Sequence, residues 1–212
     1  MKTPAYAIGF LIISVASCAK TTDLDHQTTE AKSDLSGLSK ATFASGCFWC
    51  VEAIYESVRG VHAAVSGYAG GHTTDPTYEK VNTEHTGHAE SVQVYYDPKM
   101  VSYAQLIDVY FGSQDPTQIN GQGPDIGSPY RSIIFYRTDE EKEIAEKAKD
   151  ALAVSGKYDS PLAAEILPLV EFYEAENYHQ DYEHNQPNNP YIRNISVPRL
   201  NRFKQKFPAL LN

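Results

Sequence analysis

The chain of 212 residues has a formal net charge of −9 and contains three cysteines. This length indicates one domain with an N-terminal extension, and such a domain buries a sizeable core without disulfide cross-links. The acidic balance argues against a surface for the phosphate backbone, so we expect no nucleic-acid partner.

The first 17 residues are typical of an export signal peptide. Lys2 supplies a positive charge, and the apolar segment 7–13 is too short to span a membrane. The next residues, Val15-Ala16-Ser17-Cys18, resemble a bacterial lipoprotein box. We therefore predict an exported protein of the cell envelope or periplasm, attached to the membrane only by lipid at Cys18. Ordinary cleavage after a small residue, leaving Cys18 as an odd thiol, is the alternative.

Residues 18–38 are polar and poor in aromatic side chains, which predicts a flexible tether. A catalytic domain is predicted at 39–212. Its first helix is expected at about 47–59, because Val51, Ile54, Tyr55 and Val58 recur at helical spacing.

Strands and helices alternate through the rest of the chain. Strands are predicted at 61–68, 91–96, 132–136 and 164–172. A capping box, Ser102 with Gln105, begins a second helix, and Thr138 with Glu141 begins a third that runs to about residue 155. A short helical segment is expected at 178–184. Residues 113–130 are predicted to be irregular, and a loop of that length in a compact domain is often functional. The strands are too few for a doubly wound sheet, so we predict an α+β sandwich.

The segment Gly46-Cys47-Phe48-Trp49-Cys50 joins an apolar run to the first helix. A cysteine at a helix N-terminus has its thiolate stabilised by unpaired backbone N–H groups and the helix dipole. A second cysteine one turn later is close enough to form a disulfide. The segment therefore predicts thiol redox chemistry beside an apolar wall of Phe48 and Trp49.

Metal-based interpretations of this cysteine pair fit the sequence less well. A structural zinc site needs four ligands, and the five-residue offset of His179 and His184 suits one helical face poorly. A zinc deaminase places its His-x-Glu before the cysteines, whereas His88-Ala89-Glu90 follows them here. We expect no metal.

Two other functions remain open for the cysteine pair. A thioredoxin-like disulfide exchanger also uses a low-pKa cysteine at a helix N-terminus, although small or polar residues usually separate its cysteines. A lipoprotein adhesin or scaffold would use Cys47–Cys50 only as a structural cross-link.

Further candidate residues lie in the strands and loops that follow. Glu90, at the start of a strand, is a candidate proton donor if a partly dry pocket raises its pKa, and a solvated glutamate otherwise. Tyr78 and Tyr130 are candidate hydroxyl donors, although loop tyrosines more often pack. Asp125, between Pro124 and Gly127, is most simply a turn residue.

Six motifs across about residues 40–185 resemble, in order, those of peptide methionine sulfoxide reductases of the A type. They are Gly46–Trp49, Gly67–Gly71, Asp75–Tyr78, Thr86–Glu90, Tyr130–Ser132 and Glu176–Gln180. The resemblance implies a mixed α/β fold with a ferredoxin-like core. It also implies reduction of the S epimer of methionine sulfoxide, free or in oxidised proteins, as a repair reaction.

The resemblance also implies the role of each residue. Cys47 is the nucleophile that attacks the sulfoxide sulfur and becomes a sulfenic acid, and Glu90 is the acid that protonates the sulfoxide oxygen. The expected substrate-binding residues are Phe48 and Trp49 around the ε-methyl group, Tyr78 and Tyr130 on the oxygen, and Asp125 in support. No bound cofactor is expected; the reductant is thioredoxin or a thioredoxin-like protein, or dithiothreitol in vitro.

The chain departs from this family at two positions of the site. Many members have Gly where this chain has Cys50 and use a cysteine near the C-terminus, whereas no cysteine follows Cys50 here. We therefore predict that Cys50 resolves the sulfenic acid by forming a disulfide with Cys47. Ile126 stands where many members have His, which leaves the support from Asp125 less defined. We expect a monomer.

Overall fold

The computed structural model describes Met1 and residues 35–212. The predicted signal peptide, Cys18 and all but the end of the tether lie outside the described residues. The chain divides into two units, 1–34 and 35–212, and the fold below is that of the second. In this part of the chain no helix has the length and apolar composition needed to cross a membrane.

Strands and helices alternate within residues 35–212. The strands are β1 (Ser39–Ser45), β2 (Val61–Ala69), β3 (Ala89–Tyr96), β4 (Gly121–Gln122), β5 (Asp125–Ile126), β6 (Ser132–Tyr136), β7 (Glu165–Pro168) and β8 (Phe172–Glu174). The α-helices are α1 (Phe48–Glu56), α2 (Tyr78–Val81), α3 (Tyr103–Gly112), α4 (Asp139–Ala153), α5 (Tyr182–Asn185) and α6 (Val197–Lys206).

The main sheet has the strand order β7-β6-β1-β3-β2-β8, and β4 and β5 form a separate two-stranded ribbon. Its four central strands, β6-β1-β3-β2, are antiparallel. Because β3 lies between β1 and β2, the β1-α1-β2 unit is the split βαβ of ferredoxin-like folds. The predicted mixed α/β class with a ferredoxin-like core is therefore confirmed.

The core lies on both faces of this sheet. Phe43 of β1 is fully buried, pairs in register with Val92 and Ile134, and stacks on Tyr55 of α1 with ring centroids 5.0 Å apart. A smaller apolar cluster, which includes Phe135 and Phe172, lies on the opposite face of the sheet from α1. Central strand β1 is thus buried on both faces, and its end is held rigidly where the cysteine motif begins.

The prediction of one strand at 164–172 is wrong in one respect. The segment forms two strands, β7 and β8, which lie at opposite edges of the sheet. The four steps from Pro168 to Phe172 span at most about 14 Å. Six flat strands would extend about 24 Å across the sheet. The sheet therefore curls so that its edges approach each other, and Pro168, which cannot donate a ladder hydrogen bond, ends β7.

The C-terminal part differs most from the predicted elements. The helix predicted at 178–184 is interrupted by Asp181, whose φ of 52° cannot continue a right-handed helix, leaving a 3₁₀ turn at Asn177–His179 and then α5. Helix α6, which follows a π-helical turn at Ile192–Ser196, was not predicted. The two predicted caps are confirmed, at Ser102 with Gln105 and at Thr138 with Glu141.

Candidate active site

Cys47 lies at the junction between β1 and α1, as predicted, and is the N-cap residue of α1. Gly46 before it has φ +85°, and a Cβ there would lie 2.5 Å from Cβ of Gln122, so only glycine fits this turn. The carbonyl of Cys47 accepts the N–H of Cys50 at 3.2 Å. Both cysteines are free thiols with exposed fractions of 6% and 2%.

The two thiols influence each other's pKa. Burial raises the pKa of Cys47, and its hydrogen bond with Cys50 raises it further. The same hydrogen bond, followed by the charge of Arg199, lowers the pKa of Cys50 to about 6. The sequence predicts the low pKa at Cys47, whereas the structure places it at Cys50. The two shifts have opposite directions, so near neutral pH the pair favours a state with one proton shared between the two sulfurs.

Glu90 of β3 lies directly beside the start of α1. Its Oε2 accepts the backbone N–H of Phe48 at 3.0 Å, and only 2% of the residue is exposed. Burial raises its pKa to about 8. The hydrogen bond from Phe48 opposes this shift, and the charge of Asp125 adds to it. Glu90 is therefore a neutral carboxyl group at pH 7, the state that the predicted proton donor requires.

An aromatic wall lies beside the first turn of α1, which carries Phe48 and Trp49. The indole of Trp49 stacks on Tyr182 with centroids 3.8 Å apart, and its Nε1–H donates to Nδ1 of His179 at 3.2 Å. The His179 ring contacts Phe48 and Tyr78, with centroids 4.8 and 4.6 Å away. Burial lowers the pKa of His179, so this ring is a neutral acceptor within the wall.

The predicted hydroxyl donors are near the same groups. Burial raises the pKa of both Tyr78 and Tyr130, and the charges of Glu90 and Cys47 raise it further. Each phenol therefore keeps its proton at neutral pH and remains a hydrogen-bond donor. The structure brings the predicted nucleophile, acid and hydroxyl donors together.

Tyr191 is a residue of this site that the sequence analysis missed. Its hydroxyl donates to Oδ2 of Asp125 at 2.6 Å and lies 3.8 Å from Sγ of Cys50. Its ring also meets Trp49 edge-on. Asp125 is therefore more than a turn residue, because Tyr191 connects it to the cysteine pair. Nothing in the local sequence around Tyr191 signals this role, since the contact spans 141 positions of the chain.

A cavity of about 570 Å³ opens on Cys50 and is lined by Asp125, Tyr191, Arg199 and Arg202 among others. Cys50 thus lines a cavity that carries charged side chains, while Glu90, Tyr78 and Tyr130 interact electrostatically with Cys47. A buried dithiol beside a neutral carboxyl group supplies two electrons and a proton to one bound group. The fold and site define a thiol-dependent oxidoreductase.

Residues 39–210 match the family model for peptide methionine sulfoxide reductase, and the chain belongs to this family, in its A type. Like its relatives, it is an oxidoreductase that reduces methionine sulfoxide in protein repair.

Similar curated proteins and solved structures agree with this assignment. Peptide methionine sulfoxide reductase MsrA of Natronomonas pharaonis is 47% identical over 167 residues, which cover 79% of this chain and 94% of that protein. The crystal structure of reduced Mxr1 from Saccharomyces cerevisiae has a TM-score of 0.66 and 35% identity, covering 72% of this chain and 87% of that one. Methionine sulfoxide reductase A of Corynebacterium diphtheriae gives a TM-score of 0.64 at 35% identity, covering 72% and 76%.

Proposed function

We propose that the protein reduces the S epimer of methionine sulfoxide through attack by Cys47, and that Cys50 then forms a disulfide which a thioredoxin-like protein reduces. The observation that carries this proposal is the 3.0 Å hydrogen bond from the Phe48 N–H to the carboxyl group of Glu90. This hydrogen bond holds the carboxyl group of Glu90 at the N-terminus of α1, next to Cys47. A sulfoxide becomes a good electrophile only as its oxygen gains a proton.

In the first step, the sulfur of Cys47 attacks the sulfoxide sulfur. Glu90 gives its proton to the sulfoxide oxygen, and the proton of Cys47 passes along the thiol hydrogen bond to the Cys50 thiolate. The new bond between the two sulfurs and the S–O bond of the substrate then break, while the oxygen, which now carries the proton from Glu90, bonds to Cys47. Two electrons pass from Cys47 to the substrate, which leaves as methionine, and Cys47 becomes a sulfenic acid. Phe48 and Trp49 hold the ε-methyl group, and Tyr78 and Tyr130 donate to the oxygen.

In the second step, Cys50 attacks the sulfur of Cys47. An S–S bond forms, the S–O bond breaks, and the oxygen leaves as water with the proton that Cys50 releases. The carbonyl of Cys47 accepts the N–H of Cys50, so the two residues lie within the first turn of α1. A thioredoxin-like dithiol then reduces the disulfide by exchange, and no bound cofactor is needed.

We also propose that the catalytic domain, as a monomer, is held in the cell envelope by lipid at Cys18. This proposal is supported by the sequence pattern of residues 1–38 alone. The test is fractionation of cells that express the full chain or its Cys18→Ala variant. The wild-type protein should sediment with membranes and the variant should not; equal distribution of the two would contradict lipidation.

The reaction is tested with separated S and R epimers of a methionine sulfoxide derivative and dithiothreitol. We expect consumption of the S epimer alone, and a folded but inactive Cys47→Ser variant. If neither epimer reacts, and insulin disulfides are reduced instead, the protein is a disulfide exchanger.

The role of Cys50 needs a separate assay. With Cys50→Ser, turnover supported by dithiothreitol should persist, because this small thiol can attack the sulfenic acid directly. Turnover coupled to thioredoxin should be lost, since no second cysteine forms the disulfide. Thioredoxin-coupled turnover equal to that of the wild type would show that Cys50 is not the resolving cysteine.

A further inference from the structure

Arg199 of helix α6 is a buried cation without a carboxylate partner. Only 8% of the residue is exposed. Its Nε donates to the carbonyl of Ser113 at 2.9 Å, and its Nη2 donates to Oγ of Ser45 at 3.4 Å. Among residues 35–212, no acidic side chain forms an ion pair with it. A buried guanidinium remains charged at all relevant pH values, so it needs a countercharge nearby.

The cavity beside Cys50 provides the candidates for that countercharge. Arg199 and Cys50 both line it. The carboxylate of Asp115 is occupied by the backbone and hydroxyl of Thr117, at 2.9 and 2.6 Å. Asp125 accepts the hydroxyl of Tyr191. These hydrogen bonds do not remove the charge of a carboxylate, and Arg199 lowers the pKa of Asp125. Arg199 also lowers the pKa of Cys50, so the Cys50 thiolate is a second anion on which its charge acts.

The other charged groups around the thiol pair do not replace Arg199. Glu90 is neutral near pH 7, and Lys206 donates to the carbonyl of Gly112 at 2.9 Å. Arg202 is exposed at the rim of the cavity. Arg199 is therefore the buried positive charge that faces Cys50.

We propose that Arg199 is a positioning residue that stabilises the Cys50 thiolate and thereby speeds the attack of Cys50 on oxidised Cys47. This inference rests on the proposed role of Cys50 as the resolving cysteine.

The reason lies in what changes at Cys47 during the reaction. In the reduced pair, the S–H of Cys47 is the main group that favours the Cys50 thiolate. This hydrogen bond is lost once Cys47 has become a sulfenic acid and its thiol proton has moved to Cys50. Cys50 must then ionise again, without its first partner, before it attacks the Cys47 sulfur.

Two hydroxyl groups near Cys50 have their protons engaged elsewhere. Ser196 donates to the carboxylate of Glu183, and Tyr191 donates to Asp125. A hydroxyl group has one proton to donate. Arg199 is thus the remaining group that stabilises a negative sulfur at this stage, because its charge does not depend on a shared proton.

The test is a single turnover of the reduced full-length protein with one equivalent of S-sulfoxide and no reductant. Methionine release reports the first step, and loss of free thiols reports disulfide formation. Both are followed from pH 5 to pH 9 in the wild type, Arg199→Met and Arg199→Lys. Arg202→Met is the matched control, since it removes a cation from the same helix and cavity.

For Arg199→Met, we expect methionine release within about threefold of the wild-type rate. Disulfide formation should slow by roughly tenfold at pH 7, and its midpoint pH should rise by about one to two units. Dimedone should trap the sulfenic acid at Cys47. Arg199→Lys should recover most of the rate, and Arg202→Met should match the wild type.

The proposal is overturned if Arg199→Met forms the disulfide at the wild-type rate and midpoint pH, or if both steps slow equally. A folding defect lowers the amplitudes of both steps, but it leaves the ratio of their rates in the active fraction unchanged. If the wild type itself forms no Cys47–Cys50 disulfide, it is the proposed role of Cys50 that fails.

Discussion

The backbone N–H of Phe48 donates a 3.0 Å hydrogen bond to Oε2 of Glu90, which joins the first residue of helix α1 to a buried carboxyl group on strand β3. This contact spans 42 positions in the chain. It places Glu90 and the two thiols on neighbouring elements, as the proposed attack on a protonated sulfoxide requires.

Glu90→Gln should reduce kcat/KM by about 10²- to 10⁴-fold, because glutamine keeps the acceptor for Phe48 but has no proton to give. The pKa of Glu90 is about 8, so wild-type activity should fall as the pH rises through 8. The measurement is kcat/KM for the S epimer between pH 6 and pH 10.

Glu52→Gln is the matched control for Glu90, because Glu52 is also buried and also has a pKa raised to about 8. This variant should have the kcat/KM of the wild type and should show the same fall in kcat/KM above pH 8. If the decline disappears in Glu52→Gln and persists in Glu90→Gln, Glu90 is not the acid.

Glu52→Gln should also stabilise the fold at alkaline pH. Burial, and then the charge of Glu56, raise the pKa of Glu52 from 4.5 to about 8. Its contribution to folding is therefore complete below pH 4.5 and is lost as the pH rises through 8. The variant should gain about 1–3 kcal/mol of unfolding free energy over the wild type at pH 9 and nothing at pH 4, measured with urea.

Glu143→Gln is the control for this stability experiment. Glu143 is exposed, and its hydrogen bond with Lys147 lowers its pKa, so its neutralisation should bring no gain at pH 9. A similar gain in both variants would indicate a general effect of net charge on the acidic protein.

Tyr191 and Asp125 should be energetically coupled. Their 2.6 Å hydrogen bond is partly buried, and bonds to charged groups contribute about 1.5–3 kcal/mol. A double-mutant cycle of Tyr191→Phe and Asp125→Asn should therefore give a coupling of at least about 1 kcal/mol in unfolding free energy. Additive effects of the two substitutions would mean that the bond does not contribute.

Trp49 should report substrate binding, because it is the one tryptophan of the chain. We expect its fluorescence to change on titration with methionine sulfoxide under conditions that block turnover, as in Cys47→Ser. Tyr182→Leu removes the ring stacked on Trp49 and should raise KM severalfold with little effect on kcat, since the wall only binds.

Tyr158→Leu is the control for Tyr182→Leu, because Tyr158 contacts Lys157 rather than the aromatic wall. It should leave KM unchanged. A fall in kcat without a rise in KM for Tyr182→Leu would contradict a purely binding role.

Local features were predictable from the sequence. Ser102 with Gln105 and Thr138 with Glu141 begin helices because a cap needs only residues three positions apart. Cys47 and Cys50 lie one turn apart for the same reason. The ordered motifs also identified Glu90, Tyr78 and Tyr130 by resemblance, although no local pattern shows that they meet.

The tertiary structure alone decided the environment of these groups. Tyr191 and Arg199 belong to the C-terminal part of the chain but lie near Cys50 in the folded protein. Nothing in the local sequence around either residue indicates this proximity. Burial raises the pKa of both thiols. At Cys50 the interaction with Cys47 and the charge of Arg199 outweigh burial, so the pKa of Cys50 is lowered and that of Cys47 is raised. Sequence spacing determines which residues share a helical turn; the atoms that exclude water from them come from distant segments and are known only once the chain has folded.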